Sequence, residues 1–112
     1  RIEIMAIGET QILAQSNPAV NTLTAILTVA DGPVIVQAIE ACNQDTVGAL
    51  IRVAISPGGA AVAASHYLVY DDIVGPSKTY TLPFPRGLKL GFGTVIRCRA
   101  DSASVSFNVI GG

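Results

Sequence analysis

The chain has 112 residues, of which 50% are hydrophobic and only 13% are charged. This composition excludes an intrinsically disordered chain, and the length fits one domain with a single core. The net charge of -1 leaves no excess of cations to follow a phosphate backbone, so we expect no binding to nucleic acid.

Neither a membrane span nor a signal peptide is expected. The two long uncharged stretches, residues 10–30 and 53–70, are interrupted by polar residues, prolines and glycines. A membrane-spanning helix needs about 20 residues of sustained apolar character, which neither stretch has. Near the start, Glu3, Gly8 and Glu9 stand where a signal peptide would need an unbroken apolar region, so we expect no export by that route.

The first 18 residues contain several isoleucines and end at Pro18. An extended apolar segment of this kind can add a strand to the sheet of a neighbouring molecule. We therefore predict that residues 1–18 form an N-terminal arm. Its contacts with a partner would be made by Ile2, Ile4, Ile7 and Ile12.

The rest of the chain consists of short segments rich in β-branched and aromatic residues, separated by turn formers. The predicted strands are, in chain order, residues 22–29, 33–41, 49–55, 66–71, 78–82, 94–100 and 104–110. Turns are expected between them, including one at residues 83–87, and residues 57–65 form either a loop or a brief helical turn. About seven to nine strands without βαβ alternation predict an all-β fold, an antiparallel β-sandwich or a jelly-roll-like barrel, in a single domain of residues 1–112.

Alternation assigns faces within the last two strands. Val105, Phe107 and Val109 share one face, which we expect to be buried. In the strand before, Arg97 and Arg99 point away from Cys98, which favours a core position for this cysteine. Two cysteines do not indicate a disulfide framework, so buried, reduced thiols are favoured for Cys42 and Cys98, and a single disulfide is the alternative.

The segment "HYLVYDD" at residues 66–72 holds the only histidine, two of the three tyrosines and two adjacent carboxylates. Strict alternation puts His66, Leu68 and Tyr70 on one face and Tyr67, Val69 and Asp71 on the other. Two interpretations compete: a site that binds a ligand or catalyses a reaction, and a packed strand with polar ends. The tyrosines fit the packed strand, because each ring can pack while its hydroxyl finds a partner at the rim.

Catalysis is not expected. Ser65 would face away from His66 on a strand, and no G-x-S-x-G elbow is present. Asp71 and its neighbour Asp72 face apart, which favours a turn or cap at the strand end over paired acid and base roles. One histidine and two distant cysteines lack the spacing of a metal site, and the glycine clusters link strands. We therefore predict no enzyme activity, no catalytic or metal-binding residues and no cofactor.

The sequence from Arg52 onward resembles a group of small virion-associated structural proteins of tailed bacteriophages. These proteins show the pattern R-[IV]-A-[IV]-x-P-x-G, then H-Y-[IL]-x-Y-D, a strand that ends in T-L, a Gly-Leu segment and a closing V-S-F. The matching residues include Arg52, Pro57, Gly59, His66, Tyr67, Tyr70, Asp71, Gly87, Leu90, Gly93, Ser106 and Phe107. Residues 83–86 and 97–99 depart from the pattern, and the first third of the chain fits it more loosely.

The resemblance implies a non-enzymatic β-sandwich that occupies a place in the virion. We expect a capsid decoration or cement protein that binds the outer surface of capsomers and stabilises the head. Its partner would be the major capsid protein or another virion protein, and it would form a homo-oligomer, with a trimer favoured. The alternative is a component of the tail, baseplate or fibre, including an adhesion or carbohydrate-binding module.

Overall fold

A computed structural model of the protein describes residues 11–112, which form eight β-strands in two four-stranded antiparallel sheets. The strands are β1 (Gln11–Ser16), β2 (Thr24–Thr28), β3 (Val34–Asn43), β4 (Ala49–Ser56), β5 (Tyr67–Val74), β6 (Thr79–Leu90), β7 (Val95–Ala100) and β8 (Val105–Gly111). The first sheet has the strand order β1-β8-β3-β6, and the second has the order β2-β7-β4-β5. The predicted all-β sandwich is confirmed.

The strand pairing is that of one long hairpin wrapped into two layers. β1 pairs with β8, β2 with β7, β3 with β6 and β4 with β5, so the chain folds back on itself about the β4–β5 connection. Two further pairings, β3 with β8 and β4 with β7, join these hairpin arms into sheets. Eight antiparallel strands connected in this way form a jelly roll.

The first strand was not predicted as a strand. Gln11–Ser16 pairs with β8, from Gln11 opposite Gly111 to Ser16 opposite Phe107. This part of the predicted N-terminal arm is therefore a strand of the domain's own sheet, and Ile12 lies in it with 58% of its surface exposed. Ile2, Ile4 and Ile7 lie outside the described residues.

The predicted turn at residues 83–87 was wrong, because β6 continues through it to Leu90. Pro83 lies opposite Ala38 and Leu88 lies opposite Val36, so residues 84–87 form a wide bulge in the strand. β6 is an edge strand, where a proline costs no ladder hydrogen bond on its open side. Gly87 lies in the bulge with φ of 75°, a conformation that glycine adopts without strain.

The core lies between the two sheets and is almost entirely aliphatic. Its fully buried members include Val36, Ile39, Ile51, Val53, Ile96, Val105, Phe107 and Val109. The predicted buried face of β8 is confirmed, as is the core position of Cys98. Burying each such side chain fully contributes about 1.5–3 kcal/mol to the stability of the fold.

Both cysteines are free thiols, as predicted, but the predicted burial is confirmed only for Cys98 and is wrong for Cys42. Cys42 lies on β3 in the first sheet and is only half-buried, whereas Cys98 lies on β7 in the second sheet and is fully buried. Burial raises the pKa of the Cys98 thiol far above its ordinary value. This thiol is therefore a packing residue.

Two polar contacts join the sheets at the side where β5 and β6 run along the edges. The Tyr80 hydroxyl on β6 donates a hydrogen bond of 2.9 Å to Asp72 Oδ2 on β5. Burial, followed by this hydrogen bond, raises the pKa of Tyr80 above its ordinary value. The second contact is made by Asn43 at the end of β3, and it is the more deeply placed of the two.

Asn43 is fully buried, and its carboxamide binds two segments of the chain. Nδ2 donates to the carbonyls of Val47, Val74 and Gly75 at 2.9, 3.1 and 3.2 Å, and Oδ1 accepts from the Asp45 amide at 2.9 Å. The side chain thus joins the β3–β4 connection to the end of β5. The Gly75 carbonyl also accepts from the Lys78 amide at 3.2 Å, so the contact that the carboxamide makes deepest in the core is the one to Val74.

Replacing Asn43 by alanine should therefore destabilise the domain strongly. We expect Asn43→Ala to lower the free energy of unfolding by about 3 kcal/mol, because it leaves buried polar groups without partners. Urea denaturation followed by circular dichroism measures this change. Asn108→Ala is the matched control, because Asn108 Oδ1 accepts an exposed hydrogen bond from Gln15 Nε2. Equal losses in the two variants would contradict the role given to Asn43.

Candidate interaction face

The outer surface of the second sheet carries a cluster of arginines and tyrosines that we call the Arg-Tyr face: Arg52, Tyr67, Tyr70, Arg97 and Arg99. It is built in two rows across the strands. In one row Arg52 on β4 lies between Arg99 on β7 and Tyr70 on β5. In the next row Ala54 lies between Arg97 and Tyr67.

Arg52 is the centre of this face. Its Nε and Nη2 atoms donate to the two carboxylate oxygens of Asp71 at 2.7 and 3.0 Å, which is a bidentate ion pair. The guanidinium also stacks over Tyr70, with Cζ 4.0 Å from the ring centroid. Tyr70 in turn meets Tyr67 edge to face, with ring centroids 5.0 Å apart and planes at 89°. Four side chains therefore hold one another in place.

The ion pair shifts the protonation equilibria of both partners. The hydrogen bond from Arg52 lowers the pKa of Asp71 below its ordinary value, and the hydrogen bond to Asp71 raises the pKa of Arg52. The side chains remain 23% and 39% exposed, for arginine and aspartate respectively, so solvent screens their attraction. We infer that the pair mainly fixes the orientation of the guanidinium and of the Tyr70 ring.

The pairing of β5 with β4 is irregular at two places, and the second of these brings the tyrosines together and makes the predicted face assignment wrong. The pairing with β4 skips Asp71, between Ile51 opposite Asp72 and Arg52 opposite Tyr70, and it skips a second residue between Val69 and Tyr67. A bulge reverses the alternation beyond it. Tyr67 and Tyr70 therefore share the outer face, instead of lying on opposite faces.

The two aspartates bind different partners. Asp71 has φ of 55° at its bulge, a left-handed conformation that aspartate tolerates better than most residues, and its carboxylate turns to Arg52. Asp72 binds Tyr80 on the other sheet. Both residues lie inside β5, which continues to Val74, so the prediction that they mark the end of the strand was wrong.

His66 caps a turn at the entry to β5. It ends a 3₁₀ turn, Ala64–His66, and its Nδ1 accepts a hydrogen bond of 3.0 Å from the Ala63 amide. The His66 amide donates back to the Ala63 carbonyl, also at 3.0 Å. This side chain therefore holds the backbone that leads to Tyr67.

The connection between β4 and β5 lies over one end of the Arg-Tyr face. It contains two 3₁₀ turns, Pro57–Gly59 and Ala64–His66, so both a turn and a loop are present where one or the other was predicted. Alternation places Ala54 and Ser56 outward, yet both are fully buried because this connection covers them. Between the connection and the sheet runs an open groove of ≈ 710 Å³, lined by Leu23, Val62, Ala63, Ala64, Tyr67 and Tyr70.

The other two arginines of the face are held by neutral oxygens. Arg97 Nη1 donates to Ser56 Oγ at 3.1 Å, and Arg99 Nη2 donates to Asn21 Oδ1 at 3.1 Å. Sequence reasoning found that both arginines point out of the core, and it missed Ser56, Asn21 and Leu23. These residues lie far from β5 in the chain and carry no local pattern that would mark them.

Of the other residues in the predicted signature, Phe107 lies in the core, away from the face. Exposed aliphatic side chains continue the face toward the opposite end of the sheet. Leu50 and Ile73 lie opposite each other on β4 and β5, with 40% and 61% of their surfaces exposed. The outer surface of the second sheet thus has an aromatic and cationic part, the Arg-Tyr face, and an aliphatic part at the opposite end.

Within residues 11–112, no group of three or more histidine, cysteine, aspartate or glutamate side chains is placed to hold a metal ion. The same part of the chain contains no helix long and apolar enough to cross a membrane. A scan against models of known protein families gives no match, and a search of the curated proteins finds no similar sequence.

The Arg52–Asp71 pair should make stability depend on acidic pH in a defined direction. Because the folded state lowers the pKa of Asp71, the pair contributes stability above the ordinary aspartate pKa of about 3.9 and loses it as pH falls below that value. We expect Asp71→Asn to be less stable than the parent at neutral pH, with the difference shrinking below about pH 4. Urea denaturation of both proteins at a series of pH values measures this difference in the free energy of unfolding. In a protein that already carries Arg52→Gln, the stability difference caused by Asp71→Asn should no longer depend on pH. If it still did, a group other than Arg52 would be responsible for the pH dependence.

His66 should matter for the turn that it caps. We expect His66→Ala to lower the free energy of unfolding by about 1 kcal/mol and to speed hydrogen exchange at the Ala63 amide, as loss of a capping acceptor does. His66→Asn keeps an acceptor atom near the position of Nδ1 and should restore most of the protection. Equal protection of the Ala63 amide in the parent and in His66→Ala would contradict this role.

Proposed function

We propose that the protein is a non-enzymatic structural component of a tailed-bacteriophage virion, most simply a capsid decoration or cement protein. In this proposal it binds the outer surface of capsomers and stabilises the head, and its partner is the major capsid protein or another virion protein. It acts as a homo-oligomer, with a trimer favoured, and its location is the virion. The observation that carries the proposal is the exposed Arg-Tyr face.

Composition and exposure of this face support a binding role. Tyrosine and arginine are enriched among the residues that contribute most to protein–protein affinity. Tyr70 is 59% exposed although Arg52 and Tyr67 hold its ring in place, so a partner would meet a pre-ordered aromatic surface. Pre-ordering reduces the side-chain entropy lost on binding. The face therefore suits binding better than chemistry.

The residues that resemble the phage proteins overlap with this face. Arg52, Tyr67, Tyr70 and Asp71 all belong to the resemblance, and they form one contact network on the surface. Jelly rolls are common in viral capsid and lectin domains, but a fold alone does not determine a function. The support for a virion role thus comes from the resemblance and from the contact network together.

The alternative is a component of the tail, baseplate or fibre that binds host glycans. The groove beside Tyr67 and Tyr70 is the observation that favours it. However, the two rings meet at 89°, so they do not form the flat aromatic platform on which a sugar ring stacks. A protein partner is therefore preferred over a glycan.

The copy number in purified particles tests the proposal. Quantitative mass spectrometry with isotope-labelled peptides of this chain, the major capsid protein and a tail protein measures it in the same sample. We expect a copy number of the same order as that of the major capsid protein. A copy number near that of the tail protein would move the assignment to the tail, and absence from purified particles would contradict both locations.

A further inference from the structure

The two outer surfaces of the sandwich differ in charge. Across the first sheet, one row consists of Gln15, Asn108, Glu40 and Thr81, and a second row pairs the exposed Ile35 with Lys89. These two rows carry one carboxylate and one ammonium group, whose charges balance. The Arg-Tyr face carries three arginines and the single carboxylate of Asp71, which is already paired with Arg52. A chain with a net charge of -1 thus presents an excess of positive charge on this face.

Donors remain available on this face. Among the described residues, Arg97 and Arg99 each donate one side-chain hydrogen bond, and both acceptors are neutral oxygens. A guanidinium has five N–H donors in a planar fork that matches a carboxylate. Both arginines are also only partly buried, so a ligand from solvent can reach them.

An apolar groove lies on the same face as these donors. Its lining includes Leu23, Val62 and Ala63, together with Tyr67 and Tyr70. The sheet register puts Arg97 in the row of Tyr67, and Arg99 in the row of Tyr70. A ligand that fits both features must offer an apolar side chain and a carboxylate a few residues apart along an extended chain.

We propose that the Arg-Tyr face and its groove bind an extended acidic segment of a partner protein, whose aliphatic side chain enters the groove while its carboxylates pair with Arg97 and Arg99. This inference deepens the proposed function and rests on it for the nature of the partner, a protein of the particle. Charge complementarity would determine which partner binds and how fast it associates. Burial of the aliphatic side chain in the groove would contribute to the affinity.

The experiment uses the isolated protein and synthetic peptides. The probe is an acetylated peptide in which leucine and aspartate alternate three times with one glycine between each pair, so that both side chains face the same side of an extended chain. It is titrated to millimolar concentration and followed by heteronuclear NMR. We expect saturable shifts of the Ala63, Ala64, Tyr67 and Arg99 amides, weakened by added salt. Peptides with lysine in place of aspartate, or with serine in place of leucine, should bind much more weakly.

Variants locate the site. We expect Arg97→Gln combined with Arg99→Gln to weaken peptide binding about tenfold, and Tyr70→Ala to weaken it as well. Arg86→Gln combined with Lys89→Gln removes the same charge from β6 and should leave binding unchanged. Thermal unfolding shows whether each variant is folded. Absence of binding, equal binding of the lysine peptide, or equal effects of the two double variants would overturn the inference.

Failure of this inference is distinguishable from failure of the proposed function. If the peptide does not bind but the protein is abundant in particles, the Arg-Tyr face is not the site of attachment and the virion role stands. If the peptide binds as expected but the protein is absent from particles, the specificity of the face stands and the virion role falls.

Discussion

The buried carboxamide of Asn43 is the contact on which the arrangement of the two sheets depends. It belongs to β3 in the first sheet, and it holds the carbonyls of Val74 and Gly75 where β5 leaves the second sheet. β5 pairs with β4 from Val74 opposite Ala49. Asn43 thus fixes the Val74 end of β5, and the bulge at Asp71 then brings Tyr70 opposite Arg52. Together with the Tyr80–Asp72 contact, Asn43 transmits the packing of the core to the outer surface of the second sheet.

Sequence reasoning succeeded where strands are regular and failed where they bulge. The alternation of side chains correctly predicted that Val105, Phe107 and Val109 are buried, because this part of β8 pairs with β3 without a bulge. It failed for β5, because an inserted residue reverses the alternation and leaves no mark in composition. It also ended β6 at Leu82, because two prolines and a glycine in residues 83–87 indicate a turn locally. An edge strand can hold them in a bulge instead. Asn43 falls between two predicted strands, where the sequence indicates a turn. Its role in the core could not be predicted locally, because the acceptors of its carboxamide lie up to 32 positions away.

The segment "HYLVYDD" shows how a concentration of functional groups can serve geometry before chemistry. His66 caps the turn that leads into the strand, and Asp71 takes the left-handed conformation at the bulge. Between them, a second bulge at Leu68 turns Tyr67 and Tyr70 to one side. The side chains of His66, Asp71 and Asp72 each bind a different partner within the domain. The histidine and the carboxylates therefore do not converge on a common point. A similar pattern elsewhere would predict a shaped aromatic surface rather than an active site.

β5 is also an edge strand, and its bulges have a second consequence. A long, flat edge presents unpaired backbone groups on which other chains can add strands without specificity. Bulges at two places in β5, and the wide bulge with two prolines in β6, interrupt both edges on the same side of the sandwich. Backbone pairing with another chain is therefore disfavoured at these two edges. For a protein that repeats over a particle surface, these interrupted edges would favour attachment through the Arg-Tyr face over uncontrolled growth from sheet to sheet.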